Sequence, residues 1–190
     1  VQTGTLAINS NNSLGLEAGA LELYNQTTLR LDGKTMMPSR PVIIGNTSLA
    51  ATTPPEVTID TQGFSGQIDS NITEAAAGTV LEKVGTGVLA LYGDNSHTGG
   101  TWAREGTVAV KAASGTGAGD IYLGTDGQAP DTMGTLRADA DMDHPSSTAS
   151  IYLHTGGGTR DTGANTVTNS DEMLKAGAES HSGHPGTGGA

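Results

Sequence analysis

The chain has no cysteine, and aromatic residues make up only 3% of its 190 positions. Without cysteine there is no disulfide framework, no thiolate metal site and no cysteine nucleophile. That absence also suits a chain that must stay unfolded while crossing an oxidising periplasm, where stray disulfides would block transit. With a hydrophobic fraction of 34%, the scarcity of aromatics argues against an ordinary globular core. Basic residues are scarce as well. Nine Lys and Arg against 20 Asp and Glu give a formal charge of −11, which argues against nucleic acid as a partner and against docking on anionic membranes. No apolar run is long enough to span a bilayer, so no direct membrane insertion by this segment is expected. Val1-Gln2-Thr3-Gly4 opens straight into a strand-like segment with no secretory leader. A surface protein needs such a leader, so a mature piece or an excised fragment is expected.

What the chain has in quantity is glycine, 29 residues, set between short apolar groups. Thr5-Leu6-Ala7-Ile8, Leu21-Glu22-Leu23-Tyr24, Thr28-Leu29-Arg30-Leu31, Pro41-Val42-Ile43-Ile44 and Val57-Thr58-Ile59-Asp60 are of strand length. So are Val80-Leu81-Glu82-Lys83, Val88-Leu89-Ala90-Leu91, Thr107-Val108-Ala109-Val110, Ile121-Tyr122-Leu123, Thr135-Leu136-Arg137 and Ile151-Tyr152-Leu153. Most alternate one face in and one face out, and Gly, Asn, Asp, Thr and Ser separate them as turn residues do. Helix signals are scarce: Asp171–Lys175 offers about one turn, and Thr73–Ala77 a second that Gly78 would stop.

Many short strands suit a sandwich, a barrel or a solenoid; internal similarity favours the solenoid. Residues 1–8 line up with residues 103–110, and Thr28-Leu29-Arg30 and Thr135-Leu136-Arg137 follow in the same order. Tyr92, Tyr122 and Tyr152 recur at an even spacing. A unit returning in order points to a stack in which each turn contacts its neighbours and a few small apolar residues per turn suffice. The expected division is a β-solenoid over residues 1–175 and a Gly- and His-rich tail over 176–190 that has no strand pattern.

Residues 79–110 carry a more specific pattern: Lys83, Gly85, Gly87, Leu89, Leu91, Gly93, Asn95, Gly99, Gly100, Thr101, Gly106 and Val110. At this spacing they resemble the passenger-associated transport repeat of bacterial autotransporters. Two positions depart from it: His97 replaces the usual aromatic and Val108 the usual Leu. Residues 59–68 are similar to the segment that precedes such repeats, residues 1–10 to the tail of an earlier copy, and the likeness thins after Gly134. The resemblance implies an all-β fold, a right-handed parallel β-helix, with outer-membrane secretion and a C-terminal barrel outside these residues. It implies a place outside the cell or on the surface of a Gram-negative bacterium. With roughly 20 to 25 residues per turn as the family implies, and strands about 4.8 Å apart, the rod would be on the order of 40 Å long. The glycines suit tight corners. Asn95 suits an internal corner, where its amide can bond backbone and the same Asn on the next turn.

Polysaccharide lyases and hydrolases also use β-helices and need clustered carboxylates. Asp139, Asp141 and Asp143 form the densest acidic group. In an extended segment all three would face one side, which makes them the candidate Ca²⁺ ligands; the alternative is a solvated acidic edge. His144 stands where an EF-hand needs Gly, and no Glu closes the loop. Ser65 in Gly63-Phe64-Ser65-Gly66 lacks the spacing of a nucleophile elbow. His181 and His184 lie in the tail and share no helix face. Asn11, Asn25, Asn46 and Asn71 begin Asn-x-Ser/Thr triplets that chance explains in so Thr-rich a chain. Trp102, the single tryptophan, is either an exposed anchor for a partner or a cap on a turn.

No catalytic constellation, cofactor site or enzyme activity is therefore expected. The sequence favours a structural or adhesive surface segment serving adhesion, aggregation or biofilm formation, with a host surface, matrix or glycan as its partner. Two alternatives stand beside it. One is self-association, an extracellular fibre built by end-to-end stacking, which a monodisperse monomer at high concentration would exclude. The other is a β-helical polysaccharide-active enzyme, which requires cleavage that Asp139→Ala, Asp141→Ala or Asp143→Ala abolishes.

Overall fold

The computed structural model describes residues 2, 4–16, 18–46, 54–127, 130–143, 149–168 and 174–176. Its strands are short because glycine and polar turns interrupt every apolar run after a few residues. In chain order they are β1 (Gly4–Ile8), β2 (Leu21–Tyr24), β3 (Thr27–Leu31), β4 (Thr35–Met37), β5 (Val42–Asn46), β6 (Glu56–Asp60), β7 (Ser65–Ile68), β8 (Ile72–Glu74), β9 (Val80–Val84) and β10 (Val88–Leu91). There follow β11 (Thr101–Ala103), β12 (Gly106–Val110), β13 (Ile121–Leu123), β14 (Gly134–Ala138), β15 (Met142–Asp143), β16 (Ile151–Leu153), β17 (Gly158–Asp161), β18 (Val167–Thr168) and β19 (Leu174–Ala176). Among the described residues the only helical pieces are two 3-10 turns, Asn11–Leu14 and Ala113–Thr116.

Every strand pairing is parallel, and the strands fall into faces that the chain visits in rotation. One face has eight strands in the order β1-β3-β6-β9-β11-β13-β16-β19; a second has six, β4-β7-β10-β12-β14-β17. The third side carries β2-β5-β8 at one end and β15-β18 at the other. The architecture is a right-handed parallel β-helix. Eight strands spaced about 4.8 Å make a stack roughly 34 Å long.

Register shows how much chain each circuit uses. Along the eight-stranded face the aligned residues are Gly4, Thr27, Val57, Leu81, Thr101, Ile121, Ile151 and Leu174. A circuit takes 20 residues from Leu81 to Thr101 and 30 from Thr27 to Val57 or from Ile121 to Ile151. The range is wider than a uniform repeat of 20 to 25. The short circuits have no strand on the third side, and a longer one fits a loop between β13 and β14.

The interior is a set of aliphatic ladders. Leu29 and Ile59 align on the first face, Leu89, Val108 and Leu136 on the second, and Val42 with Ile72 on the third. These side chains meet in one buried cluster that contains no aromatic residue. Each fully buried Leu, Ile or Val contributes roughly 1.5–3 kcal/mol. The faces lie close enough together that aliphatic chains fill the space between them, which is how so few aromatics support a folded chain.

Several expectations need correction. Thr73 and Glu74 end β8, and residues 75–78 form a bend and turn rather than a helical turn. Leu174 and Lys175 belong to β19, where Leu174 extends the Ile121–Ile151 ladder by backbone pairing. Residues 171–173 and the tail 177–190 lie outside the described residues. The internal similarity also has a different geometry from a simple repeat: β1 lies on the eight-stranded face and β12 on the six-stranded face. What the similarity preserves is local register. Thr5 and Leu6 align with Thr28 and Leu29, just as Thr107 and Val108 align with Thr135 and Leu136.

Candidate functional site

The feature with most chemistry inside the rod is Lys83. By alternation it occupies a core-facing position of β9, aligned between Ile59 and Ala103, and it is wholly buried. Its aliphatic stem continues the ladder while the ammonium ends at a corner of the coil. There Nζ donates to Thr61 Oγ1 (2.8 Å), to the carbonyls of Val84 and Glu105 (3.0 Å each) and to that of Gly85. One charged group thus joins three successive corners. Glycine is required where they nest: a Cβ on Gly87 would run into the Phe64 carbonyl oxygen, and Gly106 sits at φ +69°, a conformation that side chains disfavour.

Burial pushes the Lys83 ammonium down to about 8. Between pH 8 and the ordinary lysine value the unfolded chain binds more protons than the native one, so this group makes stability rise with pH across that window. Lys83→Met should cost about 1–3 kcal/mol, because three half-buried carbonyls and the buried Thr61 hydroxyl lose a charged donor. Urea melts at pH 7 and at pH 9.5 test both points: the variant should be weaker at pH 7 and lack the alkaline gain.

On the third side of the short circuits, side chains replace the missing strand. Asn95 accepts from the Ile72 amide on one turn (2.7 Å) and donates to the Gly115 carbonyl on the next (2.6 Å). It bridges to backbone as expected, but the positions above and below are Ile72 and Gly115, so no ladder of asparagines forms. His97 is also wholly buried, with Nε2 3.0 Å from Thr101 Oγ1. The Thr101 hydroxyl donates to the Thr116 carbonyl, so its one hydrogen is committed and His97 Nε2 carries the proton between them. Nδ1 has no hydrogen-bond partner. Burial lowers this histidine to about 4, against a smaller upward pull from Glu74.

The outer side of the eight-stranded face holds an aromatic ladder. Glu82, Trp102, Tyr122 and Tyr152 align on four successive rungs. The Tyr122 and Tyr152 rings stack at 5.2 Å and 14°. Trp102 is wholly buried although it faces away from the main core. His154 stacks on it at 5.1 Å, and the Arg104 guanidinium lies 3.6 Å from its ring centroid. Arg104 also pairs with Glu82 and with Asp126 (3.2 Å), while indole Nε1 donates to the Gly124 carbonyl (2.8 Å). Trp102 is therefore not an exposed anchor, and it caps no turn: it stands in the middle of β11, covered by Arg104, Tyr122 and His154. Tyr92 belongs elsewhere, at the end of β10 on the six-stranded face, so the even tyrosine spacing joins only Tyr122 and Tyr152 in one ladder.

The acidic segment is not a single extended edge, because Asp139 and Ala140 form a bend between β14 and β15. Asp139 accepts two bonds from Arg137 (2.6 and 3.1 Å) and one from the Tyr92 hydroxyl (2.5 Å). The Arg137 guanidinium holds its carboxyl below the usual carboxylate range, and burial with the Asp139 hydrogen bond pushes Tyr92 up to about 12. Asp141 accepts the Thr166 amide at 2.7 Å. The Asp143 side chain, His144, His181 and His184 lie outside the described residues. Among those described, no three His, Cys, Asp or Glu side chains come together as metal ligands would. Ser65 is exposed at the start of β7.

The lysine corner, the bridging asparagine and the nested glycines all fall within one stretch. Residues 81–110 match the passenger-associated-transport-repeat family. That stretch is consistent with one repeat of an autotransporter passenger. No curated protein and no solved structure matches it. The transport repeat is a structural element of passenger segments that are secreted or surface-exposed. Here it supplies the turn from β9 through β12, and its Lys, Gly and Asn positions are the ones that weld successive corners. Sequence reasoning marked those positions without seeing that Lys83 points inward. It missed the Glu82–Arg104–Asp126 chain of charges altogether, since that becomes visible only when residues one circuit apart are placed in register.

Proposed function

We propose that this chain is a non-catalytic, adhesive length of an autotransporter passenger, a rod whose outer faces contact a host surface, matrix or glycan. The observation that carries the reading is the transport repeat at residues 81–110, folded into the centre of a continuous parallel β-helix. The environment of the ionisable groups supports it. Lys83 is spent on corner carbonyls, His97 on a buried threonine, Arg104 on Trp102 and two carboxylates, and Asp139 on Arg137 and Tyr92. Each has a structural task, and the hydroxyls that Lys83 and His97 meet, those of Thr61 and Thr101, are buried and bonded to backbone carbonyls.

The test is cellular. The full reading frame is expressed in a Gram-negative host, and protease is added to intact cells. Release of fragments containing residues 81–110, together with loss of attachment or aggregation when residues 1–175 are removed in frame, is the expected result. Retention of the segment inside the cell, or attachment unchanged by its removal, would sink the proposal.

A further inference from the structure

The outer side of the six-stranded face is not flat. A groove of about 380 Å³ crosses it from β4 to β14. Its floor is low because Ala90 stands where neighbouring rungs carry Gln67 and, two rungs on, Arg137. One wall is Tyr92, held across the next rung by its bond to Asp139 and by Lys111, whose ammonium lies 3.9 Å from the ring centroid. A fixed aromatic edge of this kind needs no ordering when a ligand arrives.

Charge sets the groove apart from the rest of the molecule. The chain carries −11 overall, whereas the lining itself has no Asp or Glu and two cations, Lys34 near β4 and Arg137 on β14; the carboxylates at its margin are Asp139, held by Arg137 and Tyr92, Asp69, held by Gln67, and Asp161 beside Arg137 in register. Lys34 is exposed and makes no ion pair among the described residues. Arg137 gives Nε and one terminal nitrogen to Asp139, which leaves its second terminal nitrogen. The two cations stand at opposite ends of the groove, four rungs or roughly 19 Å apart along the stack. Between them lie the Ser65 hydroxyl and Gln67, whose amide nitrogen is held by Asp69 and whose side-chain carbonyl can accept from a ligand hydroxyl. The backbones of β7, β10 and β12 are paired on both sides, so a peptide cannot add here as a strand. Recognition falls to an array of hydroxyl, amide, phenol and cations.

We propose that this groove binds a linear acidic glycan lying along the rod axis, its anionic groups met by Lys34 and Arg137 and its hydroxyls by Ser65 and Gln67. The proposal supplies a ligand class to the adhesive reading and rests on that reading for its biological setting.

The purified chain is titrated by calorimetry with a galacturonate hexasaccharide, a sulfated hexasaccharide and neutral maltohexaose. The first two distinguish carboxylate from sulfate as the recognised anion. At least one acidic hexasaccharide should bind at least tenfold more tightly than the neutral one. Lys34→Glu should weaken that binding at least tenfold, and Ser65→Trp, which fills the groove, should abolish it. Both positions are exposed, and unchanged melting curves confirm that the variants remain folded. The proposal is overturned by equal binding of maltohexaose, by absence of acidic-glycan binding, or by affinity that both substitutions leave intact. Cells that still attach while the purified chain ignores acidic glycans would overturn the groove and spare the adhesive reading.

Discussion

Trp102→Ala should destabilise the central turns by about 3–5 kcal/mol. The indole is wholly buried, so its removal leaves a cavity lined by Arg104, Tyr122 and His154, and the Gly124 carbonyl loses its indole donor. Arg104 loses the ring face beneath it but keeps Glu82 and Asp126. Because a solenoid turn depends chiefly on its neighbours, the loss should be concentrated around β9, β11 and β13 rather than shared along the rod. Amide exchange should therefore accelerate most at Arg104, Gly124 and Thr125, whose N–H groups bond across this region, and least at β1 and β3. Trp102→Phe keeps most of the apolar area and loses the indole bond, so it should cost less than half as much. A Trp102→Ala variant as stable as the parent in urea would show that the outer ladder is decoration on a rod held solely by its interior.

His97 should make the rod acid-sensitive in a defined window. Its folded value of about 4 lies below the ordinary histidine value, so between roughly pH 6.5 and 4 the unfolded chain takes up a proton that the folded chain refuses. Stability contributed by the neutral imidazole is complete above pH 6.5 and lost as pH falls toward 4, a total of roughly 3 kcal/mol. The cause is visible in the site: a proton on Nδ1 would create a buried N–H with no acceptor. His97→Phe restores the aromatic common in the repeat and removes the titration. Its stability should change little between pH 6.5 and 4.5, where the parent weakens steadily. Asp139 acts in a lower window, since its carboxyl is held below the usual range and its stabilising pair with Arg137 survives until that value is approached. Denaturant midpoints at half-unit pH intervals separate the two. A parent chain with constant stability from pH 6.5 to 4.5 would contradict the assignment.

The strands that sequence made legible are those whose inward positions are aliphatic. Leu21–Tyr24, Val88–Leu91 and Ile121–Leu123 all fall on strands. β7 escaped because its inward residues are Gly66 and Ile68, and Gly66 is there because a Cβ would strike the Leu31 side chain of the preceding turn. β11 escaped because its tryptophan faces outward between Thr101 and Ala103, an inversion of the usual pattern. Lys83 shows the same limit from the other side: a lysine in an alternating run reads as solvent-facing, and only the carbonyls of two corners and the Thr61 hydroxyl of a third turn it inward. Corner chemistry at glycine and asparagine was readable because it is local. The charge chain through Arg104, the Tyr92–Asp139 bond and the groove were not, since each depends on residues brought side by side by circuits of unequal length.

Those unequal circuits bear on mechanics. The hydrogen bonds between rungs run along the rod, so tension applied through the chain ends peels the stack one circuit at a time. A detached circuit of 20 or 30 residues pays out roughly 70–100 Å of slack in exchange for about 5 Å of rod. A tether built this way lengthens many-fold before it parts, and its last yield points should be the compact circuits that Lys83 and Asn95 rivet together.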